Sequence, residues 1–485
     1  MAKDNEKDQN SESKRNIWER VTPREREKIE AHAENYMNFL TVAKTERKVL
    51  DYVVDILRKE GFSDLGAGDG FSGRGGYLVH HGKLVGIFVP GKSDPAEGFN
   101  LIVAHGDSPR LDLKPRCVYE DGTFAMLKTN LYGGLKKFQW LARPVALWGF
   151  TALKDGRTME FTFGEDPNEP VLTITDILPH MDRKIQREKR LSDAFPAEKL
   201  NILAASIPPA PEETKDGKDA KDAKETKDKA DKGKLKNALL KILENKWGIR
   251  EDDLISSEIE VVPAGPARTV GLDGSFIGSY GQDDRLSVHA ALTALLGVKN
   301  PTKPLLLIIF DREEIGNYGS TGAQTNFVLR LAGRAFEAGG TEPRHHAVLE
   351  ALARTSALSA DVECGQDPTF KEITDDLNSA RLTFGPCLTR YTGGAAKYGA
   401  SEAGAEYMAK VREIYDSGRV IWQNSLIGKQ EEGGGGTVAL TLAAYGINIV
   451  DSGAPVLSMH SPFEISSKAD VWMTANAYRA FYQKA

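Results

Sequence analysis

Three short apolar runs frame the chain. Leu101 to Ala104 ends on His105-Gly106-Asp107, Leu305 to Phe310 on Asp311-Arg312-Glu313-Glu314, and Val456 to Met459 on His460. Short apolar runs bounded by polar residues read as buried strands. Three such strands with metal-competent residues at their C-terminal ends predict an α/β sheet whose site lies along that edge. Helical periodicity falls between them, over Arg285 to Leu296, Thr321 to Leu331, Ser401 to Val411 and Ser467 to Tyr482. Nearer the start, Thr45 to Glu60 sets Val49, Val53, Ile56 and Leu57 on one helical face, with Gly61 as C-cap. Tyr77 to Val79 and Leu84 to Val89 flank His80-His81-Gly82-Lys83, a hairpin pattern that makes both histidines turn residues.

From about Asp112 the pattern changes. Alternating segments such as Thr158 to Phe163 and Val171 to Ile174 precede a helix over Leu239 to Asn245, so a β-rich domain is inserted into the α/β one. The expected division is a disordered tail at 1–20, a discontinuous main domain at 21–111 and 263–485, and an insert at 112–262. Within the insert, 17 of the 26 residues from Pro211 to Lys236 are Lys, Asp or Glu, and none is aromatic. Such a segment buries too little apolar surface to offset its ordering entropy, which predicts a solvated loop or a frayed helix.

Composition narrows the functional classes. With 63 Lys and Arg against 69 Asp and Glu, the net charge of −6 favours neither nucleic acid nor an anionic membrane as partner. Cys117, Cys364 and Cys387 are scattered and form no C-x-x-C pair, which argues against a disulfide framework or a thiolate zinc knot. Met1 to Arg15 has no apolar core of a signal peptide, and no window reaches the roughly 18 apolar residues of a membrane span. A soluble cytoplasmic protein is expected.

The chemistry gathers at the strand ends. His105 offers an imidazole nitrogen and Asp107 a carboxylate to orient it, although H-x-D alone is as well explained by structure. The pair Asp283-Asp284, in Gly281-Gln282-Asp283-Asp284-Arg285, reads as a helix N-cap or as supplying a carboxylate that bridges two cations. Two adjacent carboxylates after six apolar residues are costly near a core edge unless a cation compensates them. A metal would divide the work of the Glu313-Glu314 pair, one Glu coordinating while its neighbour accepts a proton. Asp361 could be a terminal carboxylate ligand and His460 a second imidazole, or either could be an ordinary edge residue. Together, two His and three carboxylates with a spare Glu and Asp meet the needs of a dinuclear hydrolase, with N/O ligands suited to Zn²⁺, Co²⁺ or Mn²⁺. Gly433 to Gly436 lacks the Lys of a P-loop and reads as a close backbone approach. Cys364 has no His/Asn context for a nucleophile, and His289, His345 and His346 sit in structural contexts.

The strings AHGDSPRLDLKP (Ala104 to Pro115), GQDDR (Gly281 to Arg285), FDREEIG (Phe310 to Gly316), SADV (Ser359 to Val362) and MHSPFEISSKAD (Met459 to Asp470) occur in this order. Together they resemble the M18 metallo-aminopeptidases, the aspartyl aminopeptidase family, and VVPAGPAR and GGGGTVA look like its bacterial branch. The resemblance implies a mixed-sheet α/β zinc-peptidase domain with an inserted β-rich dimerisation domain, two Zn²⁺ per chain and a large homo-oligomer, usually a dodecamer. Carried over by residue, it implies that His105 and Asp361 hold one metal and Glu314 and His460 the other, with Asp283 bridging. Glu313 would be the general base, with Asp107 orienting His105. It implies peptide substrates and an acidic N-terminal preference, for which Arg390 and Lys397 are candidate readers, with His180 a candidate contribution from a neighbouring subunit. A dinuclear amidohydrolase acting on N-acyl compounds and a catalytically idle oligomeric scaffold are the alternatives.

Overall fold

The computed structural model describes residues 16–67, 71, 73–209, 233–394 and 397–485. The chain divides into two compact units, one within 1–108 and 266–485 and one within 109–265.

The larger unit is built on a seven-stranded mixed sheet. Its order is Ser63–Asp64, Gly76–His80, Leu84–Val89, Leu305–Phe310, Asn100–His105, Ser356–Ser359 and Asn448–Asp451. The last four run parallel, whereas Leu84–Val89 is antiparallel to Leu305–Phe310. Every residue of Asn100–His105 and Leu305–Phe310 is buried. The strand period of two explains why an unbroken apolar run works here, because alternate side chains serve opposite faces and both are covered. Ile102, Ala104, Leu305, Leu307 and Ile309 pack on the side of the helices Pro23–Val42, Glu46–Lys59, Gln282–Gly297 and Lys468–Lys484. Leu101, Val103, Leu306, Ile308 and Phe310 pack with Phe327–Ala338, His345–Ala353 and Val438–Ala443. Phe310 pairs with His105 and Ser359 with Val103, so the strand ends leading to His105, Glu313 and Asp361 share one edge.

Several expectations are corrected. Pro455–Leu457 belongs to a separate five-stranded sheet, where it pairs with Glu464–Ser467 and with Glu363–Cys364, so His460 arrives from a different layer than His105. The helix expected from Thr321 begins at Phe327 and runs to Ala338, because Thr321 is held in a turn. Its Oγ1 donates to Asp311 Oδ2 at 2.6 Å, and its carbonyl accepts from the Asp311 N–H. The helix expected over Ser401 to Val411 is Ala405–Ser417. In the hairpin, His80 ends its strand, and His81 and Gly82 make the turn with positive φ. The tail expected to be disordered through residue 20 is ordered at its end. Ile17–Arg20 is a helical turn capped by Asn16, anchored by the fully buried Ile17, whose N–H donates to Thr383 O.

The second unit is β-rich. Its strands run in the order Ser257–Pro263, Arg110–Asp121, Phe124–Tyr132, Ile202–Ala205, Leu172–Thr173, Pro144–Ala152 and Thr158–Phe163. Ser257–Pro263 also pairs with Pro144–Ala152, which closes the sheet on itself and leaves few open edges. Of the charged run at 211–236, residues 211–232 lie outside the described residues. Lys234 to Lys236 are not loop but the start of the helix Lys234–Trp247. The Glu120 carboxylate accepts from the N–H groups of Gly233, Leu235 and Lys236, satisfying donors that a helix start leaves open. Among the described residues, no helix is long and apolar enough to cross a membrane.

Candidate metal centre

His105 is the last residue of its strand, and its ring faces three carboxylates. Nε2 lies 3.3 Å from Asp283 Oδ1 and 3.8 Å from Asp361 Oδ1, while Nδ1 lies 3.3 Å from Asp107 Oδ1. Asp107 is fully buried, and its two oxygens accept the N–H groups of Glu313 and Glu314 at 3.2 and 3.3 Å. One side chain thereby fixes both the imidazole and the turn after Leu305–Phe310. Arg312 makes that turn at φ 66°, in the left-handed region that non-glycine residues seldom occupy.

His460 also has a positive φ, 64°. Its Nε2 lies 3.1 Å from Asp283 Oδ2 and 3.5 Å from Glu314 Oε2. Asp283 therefore turns one oxygen to each histidine. It does not cap the helix that follows: Gly281 precedes that helix, and Asp283 and Asp284, joined by a cis peptide, have non-helical backbone angles. Two trios have ligand atoms within 4.8 Å of one another, His105 with Asp283 and Asp361, and Asp283 with Glu314 and His460.

The electrostatics ask for cations. Burial raises the carboxyls of Glu314 and Asp361, with Asp283 adding to each, and raises Glu313 to about 8, helped by Asp361, Asp107 and Asp283. Burial alone would lower the histidines. Interactions with Asp107, Asp283 and Asp361 outweigh it at His105, and those with Asp283 and Glu314 lift His460 to about 10. Asp283 Oδ1 and Glu314 Oε1 are enclosed and accept no hydrogen bond. Among the described residues, Asp283, Glu314 and Asp361 pair with histidines and with no Lys or Arg. Buried anions in this state fit divalent cations bound through N and O ligands.

Two further buried carboxylates, Glu464 and Asp284, hold this arrangement. Glu464 accepts the Gln282 and Asp283 N–H groups on Oε2, at 2.5 and 3.2 Å, and the His460 N–H on Oε1 at 2.7 Å. It ties the loop carrying Asp283 to the loop carrying His460. Asp284 Oδ2 accepts the His105 N–H at 3.3 Å. The only sequence signal for Glu464 is an acidic residue four positions after His460 in an apolar setting. Replacing Glu464 by Gln puts an N–H₂ where N–H groups point, so metal affinity and kcat are expected to fall about 10- to 100-fold, as when supports behind metal ligands are lost. Metal titration beside steady-state kinetics checks this, and an unchanged metal affinity would refute it.

The substrate-reading candidates fare differently. Arg390 Nη2 and Lys397 Nζ both pair with Glu402, at 3.2 and 2.9 Å. His180 lies in an exposed turn of the second unit. The glycine run is a close backbone approach: a Cβ on Gly434 would collide with the carbonyl oxygen of Gly393, and Thr437 Oγ1 donates to Asp451 Oδ1 at 2.6 Å.

The family model for the aminopeptidase I zinc metalloproteases (M18) matches residues 39–482. A curated relative from Thermotoga maritima, a probable M18 family aminopeptidase 1, is 41% identical over 473 residues, covering 97% of this chain and 99% of its own. The crystal structure of an M18 aminopeptidase from the same organism superposes with a TM-score of 0.89 at 40% identity, covering 97% and 99% of the two chains. Aminopeptidase I from Clostridium acetobutylicum gives 0.85 at 34% identity, covering 96% and 98%. The chain therefore belongs to the M18 family of zinc aminopeptidases and is a peptide hydrolase.

Proposed function

We propose that the chain is a two-metal aminopeptidase that removes the N-terminal residue of peptides. The observation carrying this reading is Asp283, whose two oxygens face His105 and His460 and serve both trios. His105 and Asp361 would hold one Zn²⁺, Glu314 and His460 the other, and Asp283 both; Co²⁺ or Mn²⁺ suits the same donors. When bound, the metals supply Lewis acidity toward the scissile carbonyl and lower the pKa of water.

The chain's own residues do the rest. Asp107 keeps the His105 ring oriented through Nδ1. A Glu313 carboxylate oxygen takes the proton of the attacking water and later delivers it to the leaving amine. The substrate's free α-amine, a cation, is drawn by the surrounding carboxylates. An acidic side chain would have to displace Glu402 from Arg390 and Lys397 to be read by them. The proposed setting is the cytoplasm, in keeping with three free cysteines. A large homo-oligomer, a dodecamer, is also proposed; the Saccharomyces cerevisiae mApe1 dodecamer shares the fold, with a TM-score of 0.71.

The test is a panel of aminoacyl-nitroanilides with Asp, Glu, Leu and Lys, beside their N-acetylated counterparts, on metal-reconstituted protein. Hydrolysis is expected only with a free α-amine. Faster cleavage of the acylated set would favour an amidohydrolase, and fewer than one metal per chain with no turnover would favour an idle scaffold.

A further inference from the structure

A polar cavity of about 540 Å³ lies in the larger unit, where Ala405–Ser417 ends and the helices Pro23–Val42 and Lys468–Lys484 pass. Five cations line it, Arg20, Lys28, Arg419, Arg479 and Lys484, with one carboxylate, Glu25. Glu25 Oε2 accepts both the N–H and the hydroxyl of Thr22 at 2.8 Å, and the Glu25 charge also interacts with Lys28, so one carboxylate faces five cations. Among the described residues, none of the five cations makes an ion pair within 4 Å. Arg479 and Lys484 donate only to neutral acceptors, Asn476 Oδ1 and Ser417 Oγ.

Some surface cations are paired, such as Lys114 with Glu198, Arg334 with Glu337 and Arg354 with Glu350, and others, such as Arg116, Lys199 and Lys299, make no ion pair among the described residues; what sets these five apart is that they border one cavity. Helix macrodipoles account for part of it. Arg20, Arg419 and Lys484 lie at helix C-terminal ends, where positive charge is stabilising. They do not account for Lys28 and Arg479, which come from helix interiors and border the same space. Like charges converging on one cavity in a chain of net charge −6 repel one another unless an anion joins them. Guanidinium and ammonium groups together suit phosphate oxygens. The volume falls in the range of small-molecule sites, ~300–1,000 Å³, and Trp472 adds a half-buried aromatic wall.

We propose that this cavity binds a small soluble molecule carrying two or more phosphate groups. It is independent of the peptidase reading, because no residue of the metal centre lines it.

The test is calorimetric titration of tripolyphosphate, and separately of ATP, into the metal-loaded full chain. One molecule per chain is expected, with affinity falling as salt rises. Lys28→Ala combined with Lys484→Gln should weaken binding at least about tenfold, from the loss of two charge-assisted contacts. Both lysines are exposed, so the fold and peptidase activity should persist, and Arg419→Glu provides an independent second variant. Asp283→Asn separates this cavity from the metal centre and should leave the titration intact. Tighter binding of ATP than of tripolyphosphate, lost in Trp472→Ala, would identify the bound class as nucleotides. The proposal is overturned if both cation variants bind like wild type, if Asp283→Asn abolishes binding, or if a pentaglutamate peptide binds more tightly than tripolyphosphate.

Discussion

Glu313→Gln is expected to lower kcat about 10³-fold, within the range that a positioned acid or base contributes, while KM and metal content stay near wild type. Glu313 belongs to neither trio of ligand atoms, so its loss opens no metal site. Its backbone N–H, not its carboxyl, is what Asp107 holds, so the amide variant keeps the turn. Its carboxyl is raised to about 8 by burial, with Asp361, Asp107 and Asp283 adding repulsion against the pull of His105. Neutralising those carboxylates would bring it down toward neutral pH, where a group best accepts and returns a proton. Gln matches the shape and cannot take the proton. Rates on a free-amine nitroanilide beside metal analysis provide the check. Activity within tenfold of wild type would remove Glu313 from the reaction, and lost metal would recast it as a ligand.

Legibility in the sequence differs from residue to residue. Leu305 to Phe310 is plain, because six apolar residues in a row can be satisfied only with both faces of a strand covered. The helix after Thr45 is plain for a local reason, since Thr45 caps it by accepting the Lys48 N–H. Ser356–Ser359 does not declare itself as a strand. Only Ala357 and Leu358 are apolar, and the serines are buried by neighbouring strands rather than by their own character. That strand delivers Asp361 to the edge bearing His105. Val456 to Met459 looks like the other two runs, yet pattern alone cannot say which sheet a short strand joins, and here it joins another. Glu464 escapes notice because its work is done on backbone N–H groups, which a sequence does not display, and for the same reason the sequence does not separate the role of Asp284 from that of Asp283. Arg390 and Lys397 are plausible by charge, and only their geometry shows Glu402 between them.

Stripping the metals is expected to abolish turnover and to leave a protein that loses stability as pH rises through neutrality. Glu313 and Glu464 are raised from 4.5 to about 8, mainly by burial, and Glu314 and Asp361 are raised too. Between the unfolded and folded values the native state binds the extra protons, so stability falls as pH climbs. His460, raised from 6.5 to about 10, stabilises fully below 6.5 and loses that contribution as pH rises through 10. Asp283, lowered from 3.8, acts in the opposite direction, but only below that value. The metal-free melting temperature should therefore fall between about pH 5 and 8.5, a window set by these groups. Metal binding needs the same protons to leave, so the increment from Zn²⁺ should grow over the window. At free Zn²⁺ about one hundred times Kd, one site adds about 2.7 kcal/mol, on the order of 4 °C for a unit of the size of the larger one. Asp283→Asn should behave as stripped protein even with Zn²⁺ present, because one substitution opens both trios. Asp361→Asn should keep one ion, since Asp283, Glu314 and His460 remain together. Melting curves and metal analysis on the three proteins decide the matter: two ions retained by Asp283→Asn, or a stripped protein that gains stability with pH, would dismantle the shared-carboxylate centre.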